Sequence, residues 1–142
     1  MKHLFTSEMR QQLAASRAIA TVTVQNVEDA KPLADALLAG GINAVEITMR
    51  TPAALEVMKI IADNYSGMLV MAGTVITPIQ VRQVQDAGAT CAVAPGMNSR
   101  VLQAAIEAQL PFAPGVGTPS EVEQALEFDC CLLYTSPSPR DS

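Results

Sequence analysis

Hydrophobic positions along the chain fall into short apolar runs separated by stretches of helical periodicity. Short runs of this kind, bounded by turn residues, are typical of buried strands. We predict strands at residues 18–24, 44–48, 68–73, 91–94, 111–113 and 130–133. The stretches between them have the apolar spacing of amphipathic helices. This alternation predicts βαβ units and therefore a parallel sheet.

Three of the predicted helices begin with a Thr-Pro pair. The pairs are Thr51-Pro52, Thr77-Pro78 and Thr118-Pro119. A threonine side chain can accept a hydrogen bond from a free N–H group of the first turn, and proline at the first helical position has no N–H to leave unpaired. Gln80 and Glu121 stand where a capping box requires them.

Other residues predict further helix boundaries. Asn26, with Asp29 close behind it, and Asn98 are predicted to cap two more helices. An additional helix over residues 6–16 is predicted to cover the bottom of the fold. Glycines are predicted to end helices at Gly40-Gly41, Gly67 and Gly88.

Repeated βα units can close into a barrel or form an open, doubly wound sheet. The open sheet usually carries a glycine-rich turn after its first strand, whereas here that strand runs into Val24-Gln25-Asn26. Small, uniform units with polar residues at the strand ends favour a parallel (β/α)8 barrel of the TIM type. With 142 residues we expect an incomplete barrel of about six βα units, because a complete one needs roughly 200 residues or more.

Composition and charge narrow the classes of function. Hydrophobic residues make up 49% of the chain and aromatic residues 4%, so we predict an aliphatic core. The net charge of −5, without a basic run, argues against a nucleic-acid partner, and no apolar stretch suggests a membrane span. His3 is the only histidine, and Cys91, Cys130 and Cys131 form neither a disulfide framework nor a metal-spaced set. We therefore expect a cytoplasmic protein without a metal site.

The last nine positions differ from the rest of the chain. Residues 134–142 have no periodicity and are rich in Ser and Pro, a composition typical of disorder. They interrupt the last predicted strand in the middle of its apolar run. We therefore divide the chain into an N-terminal part of a barrel, residues 1–133, and a non-native tail, residues 134–142.

Polar side chains at the predicted strand ends are the candidate site, because β/α barrels carry their active sites there. Glu46 stands between Val45 and Ile47 in a strand that we expect to be covered on both faces. A carboxylate is costly in that position unless it is paired or functional, although on a half-exposed strand it would only face water. Arg50 offers a planar guanidinium that suits a substrate carboxylate. A surface position or a pairing with Glu46 is the alternative for Arg50.

Later strand ends carry further candidates. Thr74 and Pro95 are candidate substrate contacts, although tight turns use the same residue types. A helix start at Gly115-x-Gly117-Thr118 could hold an anion on its N–H groups or form a plain turn.

Four segments at these strand ends resemble the 2-keto-3-deoxy-6-phosphogluconate (KDPG) aldolase family, which includes 4-hydroxy-2-oxoglutarate aldolases. The segments are Val45-Glu-Ile-Thr-Met-Arg-Thr51, Ala72-Gly-Thr-Val75, Ala94-Pro-Gly96 and Pro114-Gly-Val-Gly-Thr-Pro119. Each is short, but four in this order and spacing make the resemblance specific.

This resemblance implies a Schiff-base aldolase that splits a 2-keto-3-deoxy sugar acid phosphate into pyruvate and glyceraldehyde 3-phosphate. A lysine amine condenses with the keto carbon, and the iminium accepts the electrons of the breaking carbon–carbon bond. By resemblance, Glu46 is the general base, Arg50 binds the pyruvyl carboxylate, and Thr74 and Pro95 contact the substrate. The family also implies a homotrimer and no metal or organic cofactor.

One position departs from the family pattern. The resemblance places the Schiff-base lysine at position 134, where this chain has Tyr134, and a phenol cannot form an imine. The only lysines are Lys2, Lys31 and Lys59, none of them at a predicted strand end. The resemblance also implies two further strands, whose loops bind the substrate phosphate in the family, and we expect these 142 residues to lack them. We therefore expect this chain itself to be inactive.

Two other interpretations stay open. One is a non-catalytic subunit that docks with full-length partners. The other is a different phosphate-binding TIM-barrel enzyme, such as a thiamine phosphate synthase, since fold alone does not fix function. The spacing of Glu46 and Arg50, together with Ala-Gly-Thr74, favours the aldolase.

Overall fold

The computed structural model describes residues 4–130 and 132–135. The helices are α1 (Ser7–Ser16), α2 (Ala30–Ala39), α3 (Ala54–Asn64), α4 (Pro78–Asp86), α5 (Ser99–Ala108) and α6 (Pro119–Glu127), and a 3-10 turn at Val27–Asp29 precedes α2. The strands are β1 (Ala20–Val22), β2 (Ala44–Thr48), β3 (Leu69–Gly73), β4 (Cys91–Val93), β5 (Phe112–Ala113), β6 (Gly115–Val116) and β7 (Tyr134–Thr135). Within those ranges, every helix is too short or too polar to cross a bilayer.

Five strands form one parallel sheet in the order β1-β2-β3-β4-β5. Each strand pairs with its neighbour in sequence, so that Val45 of β2 lies opposite Val70 of β3. A doubly wound sheet reverses its strand order at a switch point, whereas this order runs in one direction, as in the wall of a barrel. β6 pairs with β7 in a separate parallel ladder. The prediction of a parallel α/β fold of the barrel type, incomplete, is confirmed.

The main core lies between the sheet and its helices. Val45 and Ile47 of β2 belong to one buried cluster with Val57 and Ile61 of α3, and all four side chains are fully buried. Most of the largest fully buried side chains are Ile, Met or Val. The prediction of an aliphatic core is therefore confirmed.

A second apolar cluster lies on the opposite, inner face of the sheet. Its buried members are Phe5, Met71, Cys91, Val93 and Ala113. Helix α1 packs against them through Met9 and Leu13. Its Gln12 lines a pocket together with Asn43 and Thr90, which stand just before β2 and β4. The predicted N-terminal helix therefore forms and lies at the amino ends of the strands.

The predicted capping boxes are present at two helices. The Thr77 and Thr118 hydroxyls accept hydrogen bonds from the N–H groups of Gln80 and Glu121, whose side chains accept in return from the capping residues. Asn98 caps α5 as predicted, because its Oδ1 accepts from two N–H groups of the first turn.

Two other capping predictions are wrong. Helix α3 begins at Ala54, and the Thr51 hydroxyl instead donates to the Val24 carbonyl oxygen at 2.6 Å. This bond ties the β2–α3 loop to the end of the neighbouring strand. Asn26 directs its amide to the Asp29 carboxylate at 3.3 Å and caps no backbone N–H group.

The prediction of a strand over residues 130–133 is wrong for the residues that are described, because Cys130, Leu132 and Leu133 lie outside any strand. Asp129 has a left-handed φ of 54°, and the N–H of Cys130 donates to the Ala125 carbonyl oxygen at 3.2 Å. Asp129 and Cys130 therefore belong to the turn that follows α6, and β7 begins at Tyr134. Cys131 and residues 136–142, most of the predicted tail, fall outside the described residues.

Candidate active site

Glu46 projects from the inner face of the sheet. Its neighbours Val45 and Ile47 point to the helix side and are fully buried, whereas Glu46 is only partly buried. Alternation along a strand therefore turns the carboxylate to the inside of the barrel wall. Its Oε2 accepts a hydrogen bond from the Thr21 hydroxyl at 3.2 Å, and Thr21 is the register partner of Glu46 on β1.

The Glu46 side chain lies directly over Gly73, the last residue of β3. A Cβ at Gly73 would overlap Oε1 and would stand 2.8 Å from Cδ and 2.9 Å from Cγ of Glu46. The sequence shows this glycine within the Ala72-Gly-Thr-Val75 segment, which does not by itself predict the contact with Glu46. A glycine inside a strand is the available signal, because it often marks a close approach.

Thr74 follows Gly73 at the carboxyl end of β3 in a strained conformation. Its φ is 59°, a left-handed value that is an outlier for a β-branched residue. The next residue fixes this bend, since the Val75 N–H donates to the Val93 carbonyl oxygen at 3.1 Å. Such strain is concentrated at functional sites, which favours a functional role for Thr74 over a plain turn.

Arg50 lies in the turn after β2, and its side chain is exposed. Among the residues that the structure describes, no ion pair or hydrogen bond is formed by its guanidinium, so the alternative of a pairing with Glu46 is not realised. Arg50 is therefore a cation at the carboxyl end of β2 whose five donors are available to a ligand.

Pro95 is exposed in the loop after β4. Its carbonyl group approaches Gly115 so closely that a Cβ at Gly115 would overlap it. This contact fixes the β4 loop against the start of β6. Because β2, β3 and β4 are adjacent and parallel, Glu46, Thr74 and Pro95 lie along the same region of the sheet, at or near its carboxyl edge.

The Gly117-Thr118 segment forms a helix start rather than an open anion site. The Gly117 and Thr118 N–H groups donate to Oε2 of Glu121 at 2.7 and 3.1 Å. A carboxylate of the chain itself thus occupies these donors, and the alternative of a plain turn is the correct one.

Cys91, which was not among the candidate residues predicted from the sequence, is a neighbour of Glu46 in this site. It is fully buried on the inner face. Burial first, and the negative charge of Glu46 second, raise the pKa of the Cys91 thiol to about 12. The thiol is therefore neutral at physiological pH and is a poor nucleophile.

The described lysines lie away from the site. Lys59 of α3 pairs with Asp63 at 3.2 Å on an exposed surface, and Lys31 is exposed on α2. Lys2 falls outside the described residues. Tyr134, the first residue of β7, is half exposed and pairs with Gly115. Across residues 4–130 and 132–135, no cluster of His, Cys, Asp and Glu has the arrangement of a metal site.

Comparison with known proteins finds a matching family of aldolases. A family model for KDPG and KHG aldolases matches residues 9–138. The 2-dehydro-3-deoxy-phosphogluconate aldolase of Treponema pallidum (strain Nichols) is 42% identical over 122 residues, which make up 86% of this chain and 58% of the relative. The chain thus spans less than two thirds of the length of such relatives.

Solved structures show the same likeness. A KDPG aldolase from Legionella pneumophila, with pyruvate captured at low pH as a covalent carbinolamine intermediate, is 40% identical with a TM-score of 0.78, covering 82% of this chain and 57% of that one. The corresponding aldolase of Zymomonas mobilis ZM4 with 3-phosphoglycerate is 35% identical with a TM-score of 0.76, covering 85% and 59%. The extent of the family match and the shared fold together show that this chain belongs to the KDPG and KHG aldolase family.

Proposed function

We propose that a full-length protein in which this barrel continues beyond residue 133 is a Schiff-base aldolase. It cleaves 2-keto-3-deoxy-6-phosphogluconate into pyruvate and glyceraldehyde 3-phosphate. The observation that carries this proposal is the Glu46 carboxylate on the inner face of the barrel wall, fixed between Thr21 and Gly73. The membership of this chain in an aldolase family supports the choice of reaction.

The reaction needs an amine and a base. A lysine amine adds to the keto carbon and loses water to form an iminium. The Glu46 carboxylate takes the proton of the C4 hydroxyl group while the C3–C4 bond breaks and its electrons move to the iminium. Glyceraldehyde 3-phosphate leaves, the enamine takes a proton at C3, and hydrolysis releases pyruvate and the lysine.

The other candidates bind the substrate. Arg50 is exposed at the end of β2, and its guanidinium is suited to a bidentate contact with the pyruvyl carboxylate. Thr74 presents a hydroxyl from the strained end of β3, and Pro95 contacts the substrate from the loop after β4. No metal or organic cofactor enters this scheme, and we place the enzyme in the cytoplasm as a homotrimer.

The 142-residue chain itself lacks the required amine at the strand ends that are described. Tyr134 occupies the position at which the family resemblance expects the lysine, and its phenol cannot form an imine. We therefore propose that catalysis belongs to the full-length protein.

Pyruvate release from 2-keto-3-deoxy-6-phosphogluconate tests the proposal. We expect turnover by the full-length protein and a loss of about 10²- to 10⁴-fold in kcat for Glu46→Gln, which keeps the shape of the side chain but removes the base. Turnover by Glu46→Gln at the wild-type rate would overturn the role of Glu46. A source gene that ends at codon 142 would overturn the proposed activity for this protein.

A further inference from the structure

The Glu46 carboxylate is held differently at its two oxygens. Oε2 accepts the Thr21 hydroxyl at 3.2 Å, whereas Oε1 lies against the bare backbone of Gly73. Among the described residues, Thr21 is the one hydrogen-bond partner of this side chain. The carboxylate is thus anchored by a hydrogen bond on the β1 side and packs against bare backbone on the β3 side.

Register explains why these three residues meet. In the parallel ladders, Thr21 of β1 is the partner of Glu46 on β2, and Gly73 of β3 is the partner of Thr48, two residues further along β2. Side chains at alternate positions share a face, so all three lie on the inner face. A threonine side chain is stiff about its first torsion angle, which gives its hydroxyl a fixed direction on a strand.

We infer that Thr21 is a positioning residue for Glu46, and that it fixes Oε2 so that Oε1 is the oxygen that exchanges protons with the substrate. This inference rests on the proposed function of Glu46. Thr21 itself is exposed on β1, so water competes for the hydrogen bond between its hydroxyl and the carboxylate. Its value therefore lies in geometry: Gly73 leaves space for the carboxylate, and Thr21 selects its orientation.

The geometric part can be measured in the 142-residue chain. Three-bond NMR couplings report the χ1 and χ2 rotamers of Glu46, and we expect one rotamer in the wild type and averaged couplings in Thr21→Val, which keeps the shape but removes the hydroxyl. Thr21→Ser should keep one rotamer. The matched control is Thr23→Val, just beyond the end of β1, because the Thr23 hydroxyl bonds to Thr48 instead, at 2.8 Å. Unchanged couplings in Thr21→Val would overturn the inference.

The catalytic part can be measured in the full-length protein. We expect Thr21→Val to lower kcat by about tenfold, since a small misplacement of a reacting group is costly, with KM and the thermal midpoint unchanged. Thr21→Ser should restore most of kcat. A rise in KM at constant kcat, or no change in either, would overturn the role of Thr21. An absence of turnover in the wild-type protein would instead refute the proposed function, and with it the catalytic part of this inference, while the coupling experiment would still decide whether Thr21 fixes the carboxylate.

Discussion

At the scale of single residues, the absence of a side chain at Gly73 makes room for the Glu46 side chain on the inner face of the sheet. The Glu46 carboxylate occupies the space in which any Cβ at position 73 would stand. The alternation of Glu46 with its apolar neighbours predicts that its side chain lies on the opposite face of the sheet from theirs. Its contact with Gly73 could not be predicted, because it depends on the register between β2 and β3, which no local pattern specifies.

The first prediction concerns this contact. Gly73→Ala should displace the Glu46 side chain and lower the kcat of the full-length protein by about tenfold or more, because the added methyl group overlaps the carboxylate. Steady-state kinetics measure the effect. Gly67→Ala is the matched control, since a Cβ there meets no atom within 4 Å, and it should leave kcat unchanged. Equal rates for the two variants would contradict the described packing.

The second prediction concerns Cys91, whose pKa is raised to about 12 by burial and then by the Glu46 charge. Below pH 9 the thiol is protonated in both the folded and the unfolded chain. Between pH 9 and 12 the unfolded chain loses this proton and the folded chain keeps it, so the free energy of unfolding falls as pH rises, by at most about 1.4 kcal/mol per pH unit. Urea unfolding across this range measures the slope.

Cys91→Ala is the control for that slope, since it removes the titrating thiol and leaves the lysines and tyrosines in place. Its free energy of unfolding should fall less steeply with pH than that of the wild type. Parallel slopes for the two proteins would show that Cys91 is not held protonated by the fold.

At the scale of elements, local chemistry explains most of what could be predicted. The capping boxes at Thr77 and Thr118 depend on residues within one turn, so the sequence alone identifies them. Thr51 shares the Thr-Pro signature, but its hydroxyl bonds to the carbonyl oxygen of Val24, just beyond the end of β1, at 2.6 Å. That partner is distant in sequence, and the tertiary contact overrides the local signal.

The third prediction follows from this difference. Thr77→Ala removes the side-chain acceptor of the α4 cap and should lower the free energy of unfolding by about 1 kcal/mol. Thr77→Ser keeps a hydroxyl and should stay close to the wild type. Chemical denaturation of the three proteins measures both effects, and a Thr77→Ala variant as stable as the wild type would contradict the capping box.

At the scale of the whole molecule, five parallel strands in sequential order form one wall of a barrel, with β1 and β5 at its edges. The aliphatic periodicity of the chain was sufficient to predict this wall. The position of the last strand was not predictable, because the turn that follows α6 runs through Asp129 and Cys130. The candidate site lies on the described wall, whereas the amine that the proposed chemistry requires is not found at its described strand ends.

The central claim is that the full-length protein carries the Schiff-base lysine and the 142-residue chain does not. Reductive trapping with pyruvate and borohydride, read out by mass spectrometry, tests this claim most directly. We expect a covalent pyruvyl adduct on one lysine of the full-length protein and none on the 142-residue chain with Tyr134. An adduct on the shorter chain would contradict our account of position 134. No adduct on the full-length protein would contradict the Schiff-base mechanism itself.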